Sequence, residues 1–148
     1  MSRGTRPPAE GHWLETMPVK TTLYTVLFMF LAATAAQARD PAIGTWVTPP
    51  DRKNLTAHIE VEPCGTGLCG RVSRAFDALG RQVSTKNVGK QVFWGMKPAG
   101  GGKYDGGTAW VPLLNVNARA SMDLRGNTLN VRGCKGVICD GQVWTRLK

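Results

Sequence analysis

Two short loops carry all four cysteines of the chain, and they constrain its fold more than any other feature. They are Cys64-Gly-Thr-Gly-Leu-Cys69 and Cys134-Lys-Gly-Val-Ile-Cys139. The second lies within Thr128–Lys148, flanked by alternating runs at Thr128–Cys134 and Gly141–Leu147. This pattern reads as a β-hairpin whose mouth a disulfide can close. Of the three possible pairings, Cys64 with Cys69 and Cys134 with Cys139 are favoured, because in a hairpin that separation brings two Cα atoms to disulfide distance. A four-thiolate zinc site is the competing use, since paired cysteines around glycines are similar to zinc ribbons.

The start of the chain bears on that choice. From Met17 there is a basic start at Lys20, an apolar run from Thr21 to Ala36, and the small-x-small triplet Ala36-Gln37-Ala38. These are the three regions of a secretory signal, with cleavage expected after Ala38. The run falls short of the roughly 20 apolar residues that span a bilayer. Residues 1–38 therefore read as an N-terminal extension and cleavable signal, with translation expected to begin at Met17. Residues 39–148 read as one folded domain in an oxidising compartment, which favours disulfides over zinc. A core of that size is marginal without staples.

The formal charge of +9 becomes +8 once Arg3, Arg6, Lys20, Glu10 and Glu15 are removed. A basic exported domain has access to weak contact with anionic lipid headgroups or acidic ligands. The simpler role of the charge is solubility. There is no run of five or six basic residues, and nucleic acid is not an expected partner. Nothing in the sequence speaks to oligomeric state.

Along the domain, Leu55, Ala57, Ile59 and Val61 alternate with Thr56, His58, Glu60 and Glu62. Val116, Ala118, Ala120, Met122 and Leu124 alternate with Asn117, Arg119, Ser121 and Asp123. Both stretches carry the period-two signature of half-buried strands. Further strands are expected at Ile43–Thr48, Leu68–Phe76, Gln91–Met96 and Thr108–Leu113. A long loop is expected over Asp77–Lys90, and a flexible break at Lys97–Gly102, where proline and glycine cluster. About eight short strands with no amphipathic helix predict an all-β sandwich or barrel, and closure as an antiparallel barrel removes exposed edges.

With Gly44-Thr45-Trp46 at one end and Trp144-Thr145-Arg146 at the other, the chain resembles a widespread family of small exported bacterial proteins of unknown function. The resemblance rests on Gly44–Trp46, Pro63–Gly70, Lys97–Gly107 and Arg132–Arg146, which span nearly the whole domain. It implies a lipocalin-like (calycin-type) barrel and a periplasmic location. It also implies barrel closure by Gly44, Trp46 and Arg146, with the arginine packed over the tryptophan. Where members commonly carry an aromatic residue, this chain has Asn117.

Catalytic groups are sparse. His58 is the one histidine after residue 38, and its row with Glu60 and Glu62 reads as the wet face of a strand. No serine sits in a nucleophile turn, and no metal, cofactor or catalytic residue is implied. The expected function is non-enzymatic: a small hydrophobic or amphipathic ligand held by the barrel, with Trp94, Met96 and Trp110 as candidate ligand-binding residues near its mouth. The alternative is a filled barrel that engages an envelope partner. Thiol titration of unreduced, denatured protein checks the cysteine assignment. No free thiol is expected, and four would sink the disulfide reading.

Overall fold

The computed structural model describes residues 38–112 and 114–148; the extension and signal expected over residues 1–38 lie outside it, apart from Ala38. Nine strands follow in order: β1 (Gly44–Val47), β2 (Thr56–Cys64), β3 (Gly67–Phe76), β4 (Gln82–Val83), β5 (Gln91–Gly100), β6 (Lys103–Val111), β7 (Val116–Arg125), β8 (Thr128–Lys135) and β9 (Ile138–Arg146). Eight of them form a closed antiparallel barrel, in the cyclic order β1-β9-β8-β7-β6-β5-β3-β2. The short β4 pairs only with β3, which turns part of the expected Asp77–Lys90 loop into an extra hairpin.

The alternation read from the sequence sets the two faces. Ile59 and Val61 on β2 point inward, as do Ala118, Ala120 and Met122 on β7, while Glu60, Glu62 and Arg119 face solvent. One stretch departs from the expectation. Lys97–Gly102 does not break the sheet: β5 runs on through Pro98 to Gly100, and β6 begins already at Lys103. Pro98 lies beside a register irregularity between Pro98 and Gly100, a place where a sheet tolerates proline. On either side of the β5–β6 turn, Gly95 and Gly106 both adopt φ of 71° and shift the phase of their strands at the same level. Phe93 and Met96, three residues apart, consequently both face the core, as do Tyr104 and Gly107.

Successive hairpins alternate between the two ends of the barrel. One end holds the β2–β3, β5–β6 and β7–β8 turns together with the Asp40–Ile43 segment; the other holds the β1–β2, β3–β4, β6–β7 and β8–β9 connections. The first end is sealed. Large inward side chains fill it, among them Trp46, Val61, Leu68, Met96, Tyr104, Met122, Leu129 and Trp144. The Trp46 indole N–H donates to the Ala42 carbonyl at 2.9 Å, and the Tyr104 hydroxyl donates to the Asp40 carboxylate at 2.6 Å. Burial pushes the Tyr104 phenol above its ordinary pKa, and the Asp40 hydrogen bond and charge push it further, so it remains a donor.

Closure between the first and last strands is short. β1 meets β9 through only two residue pairs, Trp46 with Arg146 and Val47 with Thr145. Arg146 strengthens that seam: its guanidinium lies 4.2 Å from the Trp46 ring centroid, and its nitrogens donate to the Ile43 and Pro41 carbonyls. Gly44 makes room for it. At φ of 138°, a Cβ on residue 44 would stand 3.0 Å from the arginine Nη1, so both backbone and space call for glycine. Beyond Val143, toward the β8–β9 turn, β9 has β8 on one side and no strand on the other. Two disulfides, Cys64–Cys69 and Cys134–Cys139, clip the β2–β3 and β8–β9 hairpins, and among the described residues no cysteine is free.

Arg146→Ala removes the cation–π contact and leaves two carbonyls without their donor. It is expected to cost about 2 kcal/mol of stability, read as a lower midpoint in denaturant unfolding. An unchanged midpoint would remove the seam from the account of the fold.

Candidate functional site

The two halves of the barrel interior differ in side-chain size. Toward the open end the inward positions include Ala57, Ala75, Ala109, Ala118 and Gly133, one from each of β2, β3, β6, β7 and β8, with the half-buried Val111 and Val116 beyond them. Toward the sealed end, glycines on the inner wall are covered. A Cβ on Gly70 would clash with the Phe93 ring edge at 2.3 Å, and one on Gly107 would meet the Met96 sulfur at 2.6 Å. Gly133 is different. A Cβ there would find Ala118 at 3.5 Å, Ala109 at 3.9 Å and Val111 at 4.0 Å, ordinary contacts with the adjoining wall and with no side chain reaching across the barrel. Gly133 is also only half-buried.

Polar groups stand at the lip of this half. Cross-strand pairing places Gln142 opposite Val131 and Asp140 opposite Gly133, so both polar side chains share the inner face of β9. The Gln142 side-chain oxygen accepts the Trp144 indole N–H at 3.0 Å, which fixes the amide above the packed floor. The open end thus combines a wall of small apolar residues, an aromatic floor and a polar edge.

The three residues singled out from the sequence for ligand contact do not come together. Met96 is fully buried and packs over Gly107 in the sealed half. Trp94 faces outward, where it lines an open depression of about 450 Å³ with Cys64, Gly65, Cys69, Gln91 and Gly95. Trp110 lies on the outer wall, its indole N–H donating to Asn115 at 3.1 Å and Lys90 standing 5.0 Å over its ring. The phase shift at Gly95 separates Trp94 from Met96, since strict alternation would have put both on one face. Gly133 was legible only as part of a family motif. Its value depends on its facing Ala109 and Ala118, and no local sequence signal reports that.

The row of His58, Glu60 and Glu62 lies on the outer wall. The His58 ring packs 4.4 Å from the Phe76 ring. Partial burial lowers its pKa, and the nearby Arg74 lowers it further. Among the described residues no group of three His, Cys, Asp or Glu side chains is placed to hold a metal ion.

Residues 44–146 match the model of a protein family described as "Uncharacterized protein conserved in bacteria", DUF2147. The chain belongs to that family. A search of curated proteins gives no match. Among solved structures the chain is similar to protein HP1028 from Helicobacter pylori, described as belonging to the lipocalin family. The two share 14% identity with a TM-score of 0.56, over 72% of this chain and 82% of the other. At that identity the likeness concerns the fold: the DUF2147 chain is a lipocalin-like barrel. Its two disulfides fit an oxidising compartment.

Because the folded state holds His58 below its ordinary pKa, the contribution of this group to stability is complete above the unfolded value of about 6.5 and is lost as pH falls below it. The effect is small, since the ring is only partly buried. His58→Gln is expected to flatten the fall in unfolding free energy between neutral and mildly acidic pH. The same slope in both proteins would assign the acid sensitivity to other groups.

Proposed function

We propose that this DUF2147 chain is an exported, non-catalytic binding protein of the periplasm, whose open end receives the apolar part of a small hydrophobic or amphipathic ligand. The observation that carries this reading is the taper of the interior. Large side chains meet one another at the sealed end, whereas the wall around Gly133 is built mainly from alanines, with Val111 as the one larger neighbour. Gln142 and Asp140 at the lip suit a ligand that keeps one polar end at the mouth. Small concave sites of this kind bind through apolar lining and a few placed polar groups. The periplasmic assignment draws on the signal-like segment ending at Ala38 and on the two disulfides.

A filled barrel acting only through its surface draws support from the other half, where Phe93 and Met96 occupy the space over Gly70 and Gly107. One titration separates the two readings. Gly133 has an ordinary φ, so Gly133→Leu can fill the cup without backbone strain. The unaltered protein is expected to bind the fluorescent probe anilinonaphthalene sulfonate, and the variant to bind it at least about tenfold more weakly, the factor that 1.4 kcal/mol represents. Both proteins should unfold at similar temperatures. Equal probe affinity in the two would overturn the cup as the binding site.

A further inference from the structure

The exposed large apolar side chains are unevenly distributed over the barrel. Leu79, Leu114, Val137 and Ile138 are 77%, 67%, 99% and 76% exposed; the first three sit on the β3–β4, β6–β7 and β8–β9 connections at the open end, and Ile138 opens β9 beside the last of these. The three turns at the sealed end are Gly65-Thr66, Gly101-Gly102 and Gly126-Asn127, with no large apolar side chain among them. Leaving isoleucine, valine and leucine in water is unfavourable, and the four most exposed cluster at this rim, whereas the less exposed Val88 and Val143 lie on the outer wall and Leu147 follows β9 at the sealed end.

Cations accompany these tips. The fourth connection at this end, β1–β2, carries Arg52 and Lys53, and Lys135 adjoins the β8–β9 turn. Among the described residues none of the three is within ion-pair distance of a carboxylate. The acids at this end are already engaged. Asp51 accepts the Lys53 and Leu55 backbone N–H groups, Asp77 pairs with Arg81, and Asp140 accepts the Gly141 N–H.

From this arrangement we propose that the open end docks on an anionic lipid surface, with Leu79, Leu114, Val137 and Ile138 inserting among the acyl chains and the cations meeting the headgroups. A protein partner buries a contiguous apolar patch with a polar rim. Here the apolar residues stand on three separate hairpins around a mouth, a spacing that a fluid interface accommodates. Interfacial binding of this kind combines buried apolar area with attraction to anionic lipid. The same orientation turns the Ala- and Gly-lined cup toward the bilayer. Docking does not rest on that cup, because the inserted side chains lie outside it, so a failed probe titration would leave docking intact.

The experiment uses residues 38–148, whose strands and core form a closed unit of their own, because the apolar run Thr21–Ala36 would itself bind lipid. Cooperative thermal unfolding of each variant is the entry condition. The protein is expected to co-sediment with phosphatidylcholine vesicles containing about 30% phosphatidylglycerol, to bind pure phosphatidylcholine more weakly, and to be released by salt. The triple variant Leu79→Ser, Leu114→Ser, Val137→Ser should lose at least about tenfold in partitioning, as three apolar groups no longer gain from insertion. Lys53→Gln with Lys135→Gln should weaken binding to the anionic vesicles only. Thr66→Ser with Asn127→Ser, at the sealed end, should leave binding unchanged. No sedimentation, equal partitioning of the triple variant, or equal binding to neutral and anionic vesicles would each overturn the proposal. So would a concentration-dependent dimer abolished by the triple variant in the absence of vesicle binding, which would make a second copy the partner.

Discussion

The stacking of Arg146 on Trp46 is the contact on which the closed barrel depends. It joins the first and last strands of the barrel, and only two residue pairs share that task. The guanidinium does more than cover a ring. By donating to Pro41 and Ile43 carbonyls it holds the segment before β1 across the sealed end, where Ala42 is fully buried and receives the Trp46 indole hydrogen bond. A planar cation with several donors suits this geometry, because it stacks and bonds at once. Asp40, bound by the Tyr104 hydroxyl from β6, ties the same segment to the far wall.

A sealed floor has a consequence for the rest of the interior. With the large side chains concentrated around Trp46, Phe93 and Trp144, the opposite half is lined mainly by small residues, alanines and a glycine with Val111 beside them. Small inward residues also let a narrow barrel taper. The size gradient and the ring of exposed apolar tips coincide at the same end, and it is this coincidence that gives the molecule a direction. One end is a plug, and the other is a mouth with a greasy, basic rim.

Much of this was legible in the sequence where a single strand could report on itself. Alternation at Leu55–Val61 and Val116–Leu124 identified β2 and β7 and their inner faces, because one wet side and one dry side impose period two. The cysteine loops marked two hairpins through spacing alone. What stayed hidden depended on relations between strands. Gly95 and Gly106 shift the phase of β5 and β6 together, so Met96 turns inward while Trp94 stays out, and no reading of β5 in isolation predicts it. Pro98 and the glycines after it masked a continuous hairpin, since their breaking tendency is offset where the register is already irregular. The alanine wall needs Ala57, Ala75, Ala109 and Ala118 to arrive at one level from four strands, which only the closed topology decides.

The shortness of the β1–β9 seam bears on how the wall is built as well as how it closes. From Ile138 to Val143 the last strand pairs with β8 alone, so the barrel carries one unpaired strand edge beside the mouth. An edge of that kind invites slippage of register or pairing with a foreign strand. The Cys134–Cys139 bridge sits at the base of the tip and pins β9 to β8, which fixes the register of the one strand the sheet leaves half-partnered. The one edge the barrel leaves unpaired is therefore held in a single register by a covalent clip beside the mouth.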